Sequence, residues 1–203
     1  MRFVFVRHGK CLGNELNLTY SHTDYSLSEK GIEELKQLKE EYDYPETDVY
    51  VSSDLKRAIE TFYILYPDKK LEGTYELLRE HDWGSLEGKK SSDDWKELNN
   101  WTRGIRNGSE ESYQDFEKRV INITKELYHS FKGRSITVVA HCGIIRVLYI
   151  YLNHLESKDY INIDIKNGHA YIFDIDYKKD ELFLLSYKSL DGDTVFHKDC
   201  YSF

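Results

Sequence analysis

Two histidines in this chain stand where short apolar runs end. Phe3-Val4-Phe5-Val6 leads directly into Arg7-His8-Gly9, and Ser135-Ile136-Thr137-Val138-Val139-Ala140 leads into His141-Cys142-Gly143. Arg57 follows a third such stretch, within Ser52-Ser53-Asp54-Leu55-Lys56-Arg57. These residue types suit phosphoryl chemistry. A phosphoryl group carries up to about two negative charges, and more charge gathers on its oxygens as the bond to the leaving group breaks. Guanidinium groups bind such oxygens bidentately and stay charged at any working pH, so Arg7 and Arg57 are candidates for a phosphate clamp. A neutral imidazole nitrogen is nucleophilic near neutral pH. It can form a phosphohistidine, dividing one hard displacement into two easier ones.

The hydrophobic pattern shows which elements must position these groups. Phe3–Val6, Asp48–Ser53 and Ser135–Ala140 read as buried strands. Ile32, Leu35 and Leu38 recur at helical spacing to about Glu41, with Ser28 as the N-cap. Asp54 is expected to cap a helix carrying Leu55, Ala58, Ile59, Phe62 and Leu65, which Pro67 ends. Phe116, Val120, Ile123 and Leu127 mark a long helix within Glu110–Phe131, and a further helix with Ile144, Val147 and Leu148 follows His141. Ala170–Asp176 and Leu182–Tyr187, separated by a Lys-Lys-Asp turn, predict a hairpin at the sheet edge. Strands alternating with helices predict a three-layer α/β/α fold with a mostly parallel central sheet. One domain over residues 1–203 is expected. The irregular, glycine-spaced stretch at about 81–110, rich in tryptophan, reads as an insertion or lid. Ligands of such sheets bind beyond the carboxyl ends of the strands, where His8 and His141 both fall.

The ordered set of motifs is more specific than any one of them. Arg7-His8-Gly9 with Asn14 is followed by Leu27-Ser28-Glu29-Lys30-Gly31, then by Ser52–Thr61 with Arg57. Leu78-Arg79-Glu80 with Gly84 and Glu87-Gly88 comes next, then Glu111-Ser112 with Asp115 and Arg119, and the series closes on Val138–Arg146 with His141. In this order the sequence resembles the histidine phosphatase, or phosphoglycerate mutase-like, family, over most of the chain. The resemblance implies that His8 is the nucleophile and that Glu80 protonates the leaving oxygen, later taking a proton from the hydrolytic water. It further implies that His141 stabilises the transferring group together with the arginines, that Asn14, Gly9 and Cys142 contact substrate, and that neither metal nor other cofactor is required. Glu80 would need a raised pKa, supplied by burial beside Trp83. Arg119, Arg146 and Glu111 are read as fold-supporting ion pairs. Two departures from the family pattern stand out: Lys10-Cys11 after Gly9, and Cys142 after the second histidine. Lys10 is read as a solvated lysine at the mouth, and both thiols are expected near the phosphate pocket.

Composition narrows the class. A net charge of −8 argues against a general nucleic-acid binder, and no apolar stretch approaches a membrane span. Three cysteines and no signal-like N-terminus predict a reducing, cytoplasmic location. Cys142 and Arg146 are too close together for a cysteine-dependent phosphatase loop, whose backbone amides must wrap the phosphate. Gly84–Lys90 misses the spacing and the Ser or Thr of a P-loop, and no two histidines have the spacing of a helical zinc site. A small phosphorylated substrate is therefore expected, hydrolysed by a phosphatase. The alternatives are mutase-type transfer and a silent phospho-ligand binding module. Mutases of the family carry a longer middle insertion with adjacent arginines, whereas here Lys89–Glu110 is short and Arg103 and Arg106 are separated. Trp83, Trp95, Trp101, Arg103 and Arg106 are expected to read the substrate from the lid. The sequence does not specify the oligomeric state.

Overall fold

The computed structural model describes residues 1–90, 95–105 and 110–192. Its centre is β1 (Arg2–Arg7), in which Phe3, Val4, Phe5 and Val6 are all fully buried. A continuous apolar run is what a strand covered on both faces requires. β1 pairs in parallel with β4 (Ile136–Ala140), β4 with β2 (Val49–Ser53), and β2 with the short β3 (Gly73–Tyr75). On its other side β1 pairs antiparallel with β5 (Ala170–Lys178), which forms a hairpin with β6 (Glu181–Ser189). The strand order is β3-β2-β4-β1-β5-β6.

Alternation along the strands divides the core into two layers. Phe3, Phe5, Val51 and Val138 pack with α5 (Tyr113–Ser130) and α6 (Cys142–Leu152) through Phe116, Ile123 and Leu148. Val4, Val6, Tyr50 and Val139 pack on the opposite face with Leu35 of α2 (Glu29–Glu41) and Phe62 of α3 (Lys56–Leu65). Each such buried side chain contributes about 1.5–3 kcal/mol. The three-layer, mostly parallel fold expected from the sequence is the one observed, with the hairpin at its edge.

Local chemistry sets the ends of the helices that follow the short α1 (Leu12–Glu15). Ser28 Oγ accepts from Gly31 N–H at 3.0 Å to open α2, and Ser112 Oγ accepts from Asp115 N–H at 3.1 Å to open α5. Lys179 and Asp180 both take positive φ, 51° and 66°, giving the two-residue hairpin turn whose twist matches its strands. The expected cap at Asp54 is not formed. Its carboxylate is held by Arg79 at 2.8 and 2.6 Å, and the start of α3 is met from a distance, Lys56 N–H donating to Asp24 Oδ1 at 2.8 Å. The expected lid holds a 3-10 turn at Gly84–Leu86 and α4 (Trp95–Thr102). The side chain of Trp95, together with Arg106, Gly108 and Cys200, lies outside the described residues.

Candidate active site

β1 and β4 run in parallel with Arg7 opposite Ala140, so the next residue of each strand, His8 and His141, emerges at the same edge. Their ring centroids are 5.1 Å apart and both side chains are buried. His8 Nδ1 lies 2.7 Å from the carbonyl oxygen of Gly9. A carbonyl can only accept, so Nδ1 carries the hydrogen and Nε2 keeps its lone pair. A relay holds this arrangement: Gly9 N–H donates to Thr61 Oγ1 at 2.9 Å, and the Thr61 hydroxyl donates to the Arg57 carbonyl at 2.6 Å. Burial, and then Arg57 and Arg7, keep the His8 pKa well below 6.5, although Gly9 and Glu80 oppose them. The ring is neutral at neutral pH. His141 is held neutral in the same way, by burial and then Arg57. Its Nε2 sits 2.9 Å from Ser53 Oγ, while its Nδ1 has no partner among the described residues.

Arg57 comes from the first turn of α3 and is completely buried. Its Nη1 and Nη2 donate to the carbonyls of Thr23 at 3.0 Å and Ser21 at 2.6 Å. Glu87 anchors the loop that carries these carbonyls, accepting from the amides of Ser21, His22 and Thr23 and from the hydroxyls of Ser21 and Thr23. Arg7 donates through Nη1 to the Ile165 carbonyl. The Nε atoms of both arginines are buried without a partner among the described residues. Tyr20 lies under Arg57, whose guanidinium carbon is 5.0 Å from the ring centroid, and its hydroxyl donates to Asn14 Oδ1 at 2.7 Å.

Glu80 approaches from the opposite side. Its Oε2 accepts from Gly143 N–H at 2.8 Å and its Oε1 from His81 N–H at 3.1 Å, at the positive N-terminus of α6. The contact requires a bare Cα, since a Cβ on Gly143 would lie 2.0 Å from Glu80 Oε1. Arg119 secures the Glu80 backbone. It bonds Glu111 bidentately at 2.7 Å and donates to the carbonyls of Leu77, Arg79 and Glu80, so Arg119 and Glu111 do form a fold-supporting pair.

These residues enclose a cavity of about 280 Å³. Of the expected set, Arg7, His8, Asn14, Arg57, Glu80, His141 and Cys142 line it. Gly9 does not, because both of its backbone groups are spent on holding His8. The raised pKa expected for Glu80 is also not found. Burial pushes it up, but the neighbouring His81 and the amides of Gly143 and His81 pull it down further, to about 2. Trp83 lines the cavity, whereas Trp101 is buried in the core with Nε1 donating to the Glu111 carbonyl, and Arg103 is exposed away from the cavity. Lys10 is paired with Glu34 at 2.9 Å, and Cys11 sits behind Asn14. Sequence reasoning missed Tyr20, His81 and Tyr160 as cavity residues, and it misread Arg146. Arg146 joins no ion pair among the described residues; it lines the cavity, donates to the Ile163 carbonyl at 2.7 Å and lies 5.0 Å from the Tyr160 ring centroid. Among the described residues no group of three or more His, Cys, Asp or Glu is arranged to hold a metal ion, and no helix is long and apolar enough to cross a membrane.

Residues 3–187 match the family model of the histidine phosphatase superfamily (branch 1). The chain belongs to this superfamily. Catalysis through a phosphohistidine is general to the histidine phosphatases. Curated relatives include a 2,3-bisphosphoglycerate-dependent phosphoglycerate mutase from Treponema denticola, 28% identical over 87% of this chain and 87% of that protein. Another of that name, from Tropheryma whipplei, is 29% identical over 85% of this chain and 92% of its own. Among solved structures, a phosphoserine phosphatase mutant from Entamoeba histolytica in complex with phosphoserine superposes with a TM-score of 0.77 at 20% identity, covering 92% and 95% of the two chains. The alpha-ribazole phosphatase of Shigella flexneri gives 0.74 at 24% identity, covering 91% and 94%. At these identities the superpositions establish the shared histidine phosphatase fold.

Proposed function

We propose that the chain is a phosphomonoester hydrolase acting through a phosphohistidine on His8. The observation that carries this reading is a neutral His8, its Nε2 engaged by no hydrogen bond among the described residues, sharing one cavity with Arg7, Arg57, His141 and the Glu80 carboxylate. His8 Nε2 forms the new bond to phosphorus as the bond from phosphorus to the ester oxygen breaks. Arg7 and Arg57 hold the phosphoryl oxygens, and His141 donates to one of them through Nδ1 while its Nε2 accepts from the Ser53 hydroxyl. Glu80 gives a proton to the departing alcohol. In the second step a water oxygen attacks phosphorus, Glu80 takes the water's proton, and inorganic phosphate leaves with His8 neutral again. In the free protein Glu80 is a carboxylate, so it must take up a proton before it can act as an acid. A phosphoryl dianion alongside Glu80 raises its pKa.

The substrate class is a small phosphorylated molecule. Structures of this fold hold phosphoserine and 3-phosphoglyceric acid, and Trp83 and Leu98 offer apolar walls in the cavity beside the phosphate-binding groups. Mutase-type transfer is the second reading, favoured by the names of the curated relatives. Against it, the alignment with the Treponema denticola protein runs to 222 positions yet takes in only 87% of a 203-residue chain. That mutase therefore has insertions this chain lacks. Parallel assays on 3-phosphoglycerate separate the two. Release of inorganic phosphate supports the hydrolase. Formation of 2-phosphoglycerate with little phosphate release supports the mutase. Loss of either activity in His8→Ala, with the fold retained, ties it to the nucleophile.

A further inference from the structure

His81 is a buried imidazole that the reaction scheme above does not use. It is 1% exposed, and neither ring nitrogen has a hydrogen-bond partner among the described residues. Its ring is packed 3.9 Å from Trp83, 4.1 Å and nearly parallel to Trp101, and 5.5 Å from Phe116 (centroid distances). It also lines the active cavity, with Nδ1 3.7 Å from Glu80 Oε1. An imidazole enclosed by aromatic faces with two unpaired nitrogens loses its hydration and gains nothing polar in return. Packing alone would be served by a phenyl ring. The aromatic faces do favour a positive charge, and the one carboxylate within ion-pairing distance among the described residues is the group that must deliver a proton.

We propose that His81 is a positioning residue for Glu80 and that the two share one proton. Before substrate enters, that proton is held across the 3.7 Å between His81 Nδ1 and Glu80 Oε1. When a phosphoryl group enters, its negative charge disfavours the carboxylate. The 3.7 Å gap then closes to a hydrogen bond, as catalytic contacts that are long without substrate commonly do. The proton passes from Nδ1 to Oε1, leaving neutral imidazole and carboxylic acid. Glu80 then transfers it to the ester oxygen as the phosphorus–oxygen bond breaks. During hydrolysis of the phosphohistidine, Glu80 takes a proton from water and returns it to His81, so no proton is gained or lost over the cycle. This inference rests on the hydrolase reading and resolves its main difficulty, which is how a carboxylate held so far toward ionisation acts as an acid.

Other charged and titratable groups surround the pair. Asp82 follows His81 in the chain. α5 contributes Tyr113 and Arg119, the latter donating to the Glu80 carbonyl, and α6 contributes Cys142 and Arg146. Tyr160 adds a phenol held neutral by burial and by Glu80. From the end of β1, His8 faces Glu80 as a neutral ring, the His22 ring lies 3.1 Å from the Glu80 carbonyl oxygen, and both arginines are permanently charged.

The test uses His81→Phe, which keeps an aromatic ring in the Trp83–Trp101 slot, and His81→Asn, which keeps a donor near Nδ1. Carbon-13 NMR of the Glu80 carboxyl is followed from acid to neutral pH in wild type and both variants. The Glu80 pKa is expected to rise by more than about one unit in His81→Phe and by less in His81→Asn. kcat/KM is then measured against pH for an alkyl and a nitrophenyl phosphate. His81→Phe should lower the alkyl value by about 10²-fold near neutral pH, shift its decline with rising pH to lower pH, and leave the nitrophenyl value within about ten-fold. A Glu80 titration that does not move in His81→Phe overturns the proposal whatever the activity. Equal losses on both esters, with an unshifted pH profile, also overturn it. The hydrolase reading itself fails on a different result, the absence of phosphate on His8 during turnover.

Discussion

Replacing Gly143 with alanine tests whether Glu80 works from the place where the fold holds it. The added Cβ would lie 2.0 Å from Glu80 Oε1, 2.8 Å from the Tyr160 hydroxyl and 2.9 Å from the Glu80 carboxyl carbon. A separation of 2.0 Å falls short of van der Waals contact by more than 1 Å, so the carboxylate must move by about that much. It cannot do so and keep its 2.8 Å bond from Gly143 N–H. Loss of a hydrogen bond to a charged group costs about 1.5–3 kcal/mol, and alanine's helical preference returns up to about 1 kcal/mol. The net loss of stability is therefore small, about 1–2 kcal/mol. Catalysis suffers more, because a displacement of about 1 Å in a reacting group costs about 10²-fold. The assay is kcat/KM on an alkyl and a nitrophenyl phosphate, with thermal unfolding alongside. The expected result is a loss of about 10²-fold on the alkyl ester and less than about ten-fold on the nitrophenyl ester, whose leaving group needs little protonation. Undiminished turnover of the alkyl ester by a folded Gly143→Ala protein would refute the placement of the acid.

Further predictions follow from other parts of the site. Glu80→Gln removes the transferable proton but keeps the shape; it should lower alkyl-ester kcat/KM by about 10²–10⁴-fold in a kinetic comparison with wild type. Arg57→Lys cannot serve both the Ser21 and Thr23 carbonyls and a phosphoryl oxygen with one ammonium group. It should lower kcat/KM by about 10²-fold, as loss of a transition-state donor does. His8 and His141 stay neutral in the fold but take up protons in the unfolded chain, because burial depresses both pKa values. Their contribution is present above about pH 6.5 and is lost as pH falls. Stability from urea titrations should drop by up to about 2.7 kcal/mol per pH unit below that point, with His8→Asn removing about half of the slope. Lys10→Ala should change KM by less than about two-fold and stability by about 0.5 kcal/mol or less, since Lys10 makes an exposed pair with Glu34.

The layers of the fold were legible because β1 and β4 are buried runs that each end at a functional residue. Phe3–Val6 into Arg7-His8 and Ile136–Ala140 into His141 say both which segments are buried and which side chains stand at the edge. The three-residue β3 carries no such signal, since Gly73–Tyr75 is too short and too exposed to show alternation. What the sequence hid were pairings across long separations. Asp54 looks like a cap for α3 until Arg79 takes its carboxylate, and Asp24, 32 residues from Lys56, supplies the cap instead. Nothing local marks Glu87 as the anchor of the loop that receives Arg57, or Tyr20 as the ring beneath it. The pKa of Glu80 was misjudged for a related reason. Burial was foreseeable, but the opposing amide of Gly143 lies 63 residues away and becomes visible only when α6 meets the loop.

The most direct measurement is to trap the covalent intermediate. Wild-type protein in the presence of a chelator is mixed with a phosphate-labelled ester, quenched in base during turnover and digested for peptide mapping. A phosphohistidine on His8 gives acid-labile, base-stable label on the peptide that carries His8, no such label in His8→Ala, and accumulation of label in a variant whose second step is slowed. Steady release of phosphate with no label on His8, or with label on another side chain, would contradict it.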